Sequence, residues 1–175
     1  MTTDTLEQRV QRLEDRAAII DVVIAYAVAI DEADWTTYAA ILTDPVHVDF
    51  SEAGLPAADF AREQFVGFAA QALEAWTARQ HISPNHRVVF DAADPDRAVC
   101  HSYMYAQHHQ EGAPAYLMRG SYDHHLVRTP DGWKITKVVQ HVSWLEGDPG
   151  AATRDLNDVL TGEPAATLDL PGSVE

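Results

Sequence analysis

The chain has 175 residues, with 12 Lys plus Arg against 27 Asp plus Glu, a formal charge of −15 that leaves its nine His out. Such a surface repels nucleic-acid phosphates and anionic membranes, and the scattered cations form no basic stripe, so neither partner is expected. The apolar runs Ala17–Ile20 and Val22–Ile30 fall short of the ~20 residues that span a bilayer. MTTDTLEQRV carries acids and no apolar h-region, so it does not read as a signal peptide. The lone Cys100 excludes a disulfide framework and a Cys-rich zinc site. The expectation is a cytoplasmic, soluble, single-domain protein.

Between residues 5 and 30, Leu6, Val10, Leu13, Ala17, Ile20, Ile24 and Ala27 recur every three or four positions, with no Pro or Gly between them. That is the period of a helix. Asp34 is placed to cap a second helix over Trp35–Leu42, which Asp44-Pro45 ends. Val46–Phe50 alternates as a strand does, GLPAADF follows as a loop, and Asp59 is expected to cap a third helix running to about Thr77.

The second half reads as β. Arg87–Asp91 leads into the turn DAADPDR, followed by three long runs, Ala98–His109, Ala115–Arg128 and Trp133–Trp144. The short connections QEGAP and TPDG carry the Gly and Pro of hairpin loops. Residues 1–147 are therefore expected to form one domain. Residues 148–175 read as an acidic tail with one short helical candidate, Ala151–Leu160, whose Leu156 and Leu160 could close a pocket.

Helices followed by a meander of long strands is the α+β pattern. N-terminal helices packed in a curved, mainly antiparallel sheet make a cone-shaped α+β barrel with one open mouth, and so a concave apolar pocket.

No GxSxG, Walker loop or GxGxxG occurs, so the serine-nucleophile, phosphate and dinucleotide readings lapse. The His supply stands out, at positions 47, 81, 86, 101, 108, 109, 124, 125 and 141. On strands the adjacent pairs His108/His109 and His124/His125 must each split, one inward and one outward. No HxH or HExxH spacing is present, and neither a metal nor another cofactor is expected. Asp31 follows the apolar run VVIAYAVAI and is either a helix cap or the orienting acid of a site. Asp34 is the better-placed cap, which leaves Asp31 without a structural role. His81, in QHISPNHRVVF, stands where the chain enters the sheet.

These residues also carry a family pattern. The block RLEDRAAIIDVVIAYAVAIDEADWTTYAAILTDPVHVDFS resembles the opening of SnoaL-like domains in the nuclear transport factor 2-like superfamily. QHISPNHRVVF, HSYMYAQHH and RGSYDHHLVRTPDGWKI continue the resemblance, which spans roughly residues 8–147. It is similar to the branch that holds scytalone dehydratase, bile-acid 7α-dehydratase and hexachlorocyclohexane dehydrochlorinase. The resemblance implies that Asp31 and His81 are the acid–base dyad of those enzymes, with Asp31 opening the string Asp-X-X-Asp-Trp. It implies substrate-binding positions at Tyr26, Ser121 and Asp123. Gln107 takes the place of a second His, which His108 or His109 could supply after a shift of one or two residues. Phe50 and Ile30 replace two Tyr that act on the carbonyl of scytalone, which argues against scytalone itself as substrate.

With strand parity set by the resemblance, Ser121 and Asp123 would face the cone beside Arg119 and His125. Tyr103, Tyr105 and Gln107 would face inward on the preceding strand, and Val138, Gln140 and Val142 on the following one, leaving His141 outside. Tyr26, Ile30, Phe50, Phe65 and Phe68 would complete an aromatic wall. The function implied is a cofactor-independent lyase or isomerase, dehydratase-like, acting on a small cyclic or polyketide-like molecule. The alternative is a non-catalytic ligand-binding or assembly protein on the same scaffold. A homo-oligomer, trimer or dimer, is expected through outward Tyr116, Tyr122 and Trp144.

Overall fold

Thr5 fixes where the first helix begins. Its side chain accepts from Gln8 N at 3.2 Å and its N–H donates to Gln8 Oε1 at 2.8 Å, a capping box that opens α1 (Leu6–Glu32). The structure, a computed structural model, describes residues 4–147. The expected tail and its helix Ala151–Leu160 lie outside the described residues. Asp34 caps α2 (Trp35–Ala40) by accepting from Thr37 N at 3.0 Å. This helix stops two residues short of its expected end because Leu42, fully buried, already belongs to β1 (Leu42–Asp49).

A 3₁₀ turn at Ser51–Ala53 leads to β2 (Ala58–Phe60) and α3 (Arg62–Glu74). Asp59 therefore caps no helix; it sits in β2 and accepts from His47 Nδ1 at 2.7 Å. The first N–H of α3, on Arg62, donates instead to Asp44 of β1 at 3.1 Å. Residues beyond Glu74 do not continue the helix but form β3 (Ala78–Ile82). The remaining strands are β4 (Arg87–Phe90), β5 (Arg97–His109), β6 (Tyr116–Thr129) and β7 (Gly132–Glu146).

The seven strands form one sheet in the order β2-β1-β7-β6-β5-β3, with β4 also paired to β5. Only β1 and β7 run parallel. The sheet curls around α1 and stays open between its edge strands β2 and β3. This is the expected α+β cone. No described helix is long and apolar enough to cross a membrane.

Two register shifts bend β7 against β6, at Thr136 and at Ser143, where the bulged strand has one residue more than its partner. Gly120 faces the second bulge, and a Cβ there would lie 1.8 Å from the His141 carbonyl oxygen, so only glycine lets the two strands approach. The first bulge flips the face of β7: Trp133 and Ile135 are buried before it, Val138 and Gln140 after it.

The helical period of α1 is as expected, but its buried face is another one. Ile19, Val23, Tyr26 and Ile30 meet the sheet, whereas Leu6, Val10, Leu13 and Ile24 are exposed. Asp15 anchors the lower half of the helix. It is buried and accepts from Arg128 Nη2 at 2.6 Å, Gln11 Nε2 at 3.2 Å and Trp133 Nε1 at 3.3 Å. The Arg128 guanidinium holds the Asp15 carboxyl below the usual carboxylate range.

The inner faces of β5 and β6 are offset by one residue from the parity the resemblance suggested. On β5 the buried set is Ala98, Cys100, Ser102, Met104, Ala106 and His108; on β6 it includes Tyr116, Tyr122, His124 and Leu126. Tyr103, Tyr105, Gln107, Ser121 and Asp123 consequently face outward, as do Arg119 and His125. The reason is space: a strand wrapped closely over a helix has room on its concave side for Ala, Cys and Ser. The bulkier Tyr103 and Tyr105 sit on the convex side. Tyr116 and Tyr122, expected outside, are buried, and of the three outward aromatics only Trp144 is exposed.

Candidate active site

The last turn of α1 carries Asp31 to the edge strand β3. Arg79 sets this junction: its Nε donates to Ile30 O at 2.7 Å and its Nη1 to Leu73 O at 3.0 Å. One cation thus bonds carbonyls at the C-terminal ends of both α1 and α3, which also accept from the Ala33 and Trp76 N–H groups. Two residues on, His81 meets Asp31 twice. Its backbone N–H donates to Asp31 Oδ2 at 2.8 Å, and Nδ1 lies 2.7 Å from Asp31 Oδ1. A carboxylate only accepts, so Nδ1 carries the hydrogen and neutral His81 presents Nε2 as a bare lone pair. The His81 side chain is 8% exposed and that of Asp31 21%, so the pair is shielded but not sealed.

His81 lines a cavity of about 160 Å³ at the mouth of the cone. Tyr26, Ile30 and Tyr38 come from the first two helices, Phe65, Phe68 and Leu73 from α3, and Phe50 and Leu55 from the loop after β1. The sheet adds Ala106, His108, Tyr116, Met118, Tyr122 and Gln140, and Trp76 closes one side. Phe65 stands in the middle of the aromatic wall, within 6.4 Å, centroid to centroid, of Tyr38, Phe50, Phe60 and Phe68. Among the described residues no Lys or Arg lines the cavity.

Polar groups inside are few. His108 stands edge-on to His81 with ring centroids 5.5 Å apart, and its Nδ1–H donates to Tyr116 O at 3.3 Å. Burial, with His81 close by, pushes the His108 imidazole down to about 4, so it is neutral near pH 7 and its Nε2 is an acceptor. Gln140 Nε2 donates to Tyr122 Oη at 3.0 Å and contacts Met104 Sδ at 3.3 Å. Burial also raises the Tyr26, Tyr38 and Tyr122 phenols well above their ordinary range, which keeps all three protonated.

Of the residues singled out from the sequence, Tyr26, Phe50, Phe68, His81 and Gln140 meet at this cavity, with Asp31 behind His81. Val138 is fully buried below it, and the Val142 N–H donates to Glu52 at 2.8 Å at the rim. Ser121 does not reach the cavity. Asp123 instead accepts from His101 Nδ1 at 2.8 Å and lies 3.3 Å from His141 Nε2, whose Nδ1 is 3.0 Å from Glu52. This His–Asp–His–Glu chain runs across the outer face of the sheet. Gln107 pairs with Gln80 at 3.2 Å, and Tyr105 lies under the Arg119 guanidinium at 4.5 Å. His108 supplies the inward imidazole one position past Gln107; the rule that adjacent strand His must split leaves His108 and His109 both open, and His108 is the buried one. Trp76, Tyr38 and Arg79 carry no sequence signal of a site. Among the described residues no three of His, Cys, Asp and Glu converge as metal ligands.

Residues 11–139 match the family model described as SnoaL-like domain. No curated protein matches the chain. Among solved structures, a Kribbella flavida protein is 28% identical, covering 81% of this chain and 99% of that one with a TM-score of 0.74. The hexachlorocyclohexane dehydrochlorinase LinA-type3 of Novosphingobium barchaimii is 19% identical over 81% of this chain and 95% of its own, with a TM-score of 0.67. An NTF2-like protein with a cystatin-like fold from Novosphingobium aromaticivorans is 20% identical over 89% and 98%, with a TM-score of 0.66. At these identities the last two establish a shared fold.

Proposed function

The chain belongs to the SnoaL-like domain family, and from that premise we propose that it is a lyase or isomerase using Asp31 and His81 as its acid–base pair. The observation that carries this reading is the 2.7 Å contact between His81 Nδ1 and Asp31, with His81 on the cavity wall. Asp31 holds the imidazole in one tautomer and strengthens Nε2 as a base. Nε2 removes a proton from a C–H beside an electron-withdrawing group of the substrate. The C–H electron pair becomes a C=C bond, and the leaving group departs with its own pair. A hydroxide leaving group takes its proton from the His81 imidazolium, which restores the base; returning that proton to another carbon gives isomerisation.

The cavity favours an uncharged ring compound. Its described lining offers no Lys or Arg to an anion, and the Asp31 carboxylate is already committed to His81. A volume of about 160 Å³ suits a small ring, since an apolar cavity of roughly 150 Å³ binds benzene. His108, neutral, accepts a hydrogen bond from a substrate hydroxyl.

The test is C–H exchange in D₂O, followed by NMR over a panel of uncharged cyclic ketones and hydroxyketones, because it reports proton abstraction whatever the product. His81→Ala should slow exchange by ~10²–10⁴-fold. Ligands that bind wild type but exchange equally in wild type and His81→Ala would overturn the reading in favour of a binding protein.

A further inference from the structure

α1 has two apolar faces, and the sheet uses one. Ile19, Val23, Tyr26 and Ile30 meet the sheet. Leu6, Val10, Leu13, Ala17, Ile20 and Ile24 follow a strict four–three spacing, and at 3.6 residues per turn their stripe lies roughly 140° around the helix from the buried one. Leu6 is 72% exposed, Leu13 67%, and Val10 and Ile24 44% each; Ala17 is exposed, and Ile20 is half-buried against the edge of the core. An apolar seam sustained for nearly three heptads, about 27 Å of helix, is a pairing surface rather than scattered surface leucines.

The heptad assignment carries more information. Val10, Ala17 and Ile24 fall at a, and Leu6, Leu13 and Ile20 at d, close to the β-branched-a, leucine-d pattern of two-stranded parallel coils. The flanks are sorted by sign: Arg9 and Arg16 occupy g, while Glu7, Glu14 and Asp21 occupy e, all of them exposed. In a parallel pair g faces e of the other helix, so Arg9 meets Glu14 and Arg16 meets Asp21 across the seam, in both directions. An antiparallel pair would set g against g and e against e, like charge on like. Among the described residues neither Arg9 nor Arg16 has an ion-pair partner.

We propose that a second copy of this chain docks along this seam, the two α1 helices side by side and parallel, with the sheets on opposite outer sides. The occupant is a second copy because the surface is complementary to itself in that one orientation. Self-association then runs through α1 and not through the outer sheet face around Trp144. This proposal does not rest on the chemistry assigned to His81.

The experiment is light scattering of the full chain at micromolar concentration, with variants at exposed positions. Wild type should have twice the chain mass. Leu13→Asp should be a monomer with an unchanged urea midpoint, and Trp144→Asp should remain a dimer. Arg9→Glu with Arg16→Glu should weaken the dimer, and adding Glu14→Arg with Asp21→Arg should restore it. Leu6→Cys tests orientation: parallel helices bring the two position-6 thiols together, and air oxidation gives a covalent dimer. A monomeric wild type overturns the proposal, as does a dimer broken by Trp144→Asp but not by Leu13→Asp. So does a chain truncated after residue 147 that dimerises while the full chain does not, because the tail would then be the occupant. A Leu6→Cys dimer that fails to cross-link overturns the parallel arrangement.

Discussion

Two buried imidazoles should make this protein acid-labile well above the carboxylate range. Burial is the main cause that pushes His108 down to about 4 and His124 to about 3. The two ring nitrogens of His124 have no hydrogen-bond partner among the described residues. In the unfolded chain each imidazole titrates near ~6.5. Both folded pKa values are depressed, so below that pH the unfolded state binds more protons than the folded one. Each residue then removes up to ~1.4 kcal/mol of stability per pH unit until its folded pKa is reached. Together the two amount to several kcal/mol, a large part of the stability of a domain. His141 opposes this in part, because its two carboxylate partners raise its pKa; its contribution is full below ~6.5 and fades as pH rises past its folded value. Asp15 and Asp123 have lowered pKa values, so their contributions are lost only as pH falls below the usual carboxylate range. Burial lowers His86 and His125 as well, so they act in the same direction. Urea unfolding at half-unit steps from about pH 7 to 4 should show stability falling from about pH 6.5, with a slope of about two protons or more near pH 5. His124→Leu should reduce that slope by about one proton and gain ~1 kcal/mol at neutral pH, since it removes two unsatisfied buried nitrogens. Flat stability between about pH 6.5 and 5, or an unchanged slope in His124→Leu, would refute the reasoning.

Asp31→Ala removes two charge-assisted hydrogen bonds to His81 and should cost about 3 kcal/mol, lowering the melting temperature by roughly 6–12 °C. Calorimetry checks this, with Asp31→Asn falling between the two. Glu52→Gln should make His141 titrate at lower pH than in wild type, because the carboxylate on its Nδ1 is gone; NMR titration of the His141 ring reads this directly.

The long elements of this fold were legible because their signals are long. A helical period running through residues 5–30 locates α1, and three strands of thirteen or more residues separated by short turns locate β5, β6 and β7. β2 and β3 are three and five residues long and flank a helix, so their pattern merges with its ends. Which face of an element is buried was harder. α1 carries two apolar stripes, and period alone does not say which meets the sheet. On β5 both faces carry apolar and polar residues, and the choice between them rests on how tightly the strand wraps the helix. A family parity rule transferred across that curvature put Ser121 and Asp123 inside. The contact between Asp31 and His81 was legible because Asp31 had no structural role to explain it and because the family pattern pairs it with His81.

Asp31 grips His81 partly through its backbone N–H, and Arg79 ties the same strand to two helix ends. The proposed acid–base pair is thus positioned by main chain and helix termini, while most cavity-wall residues come from other strands and helix faces. Exchanging Phe50, Met118 or Tyr116 changes what fits without moving His81. Natural variation can accordingly retarget such a scaffold to new molecules by swapping wall residues one at a time, each step leaving the Asp31–His81 contact in place.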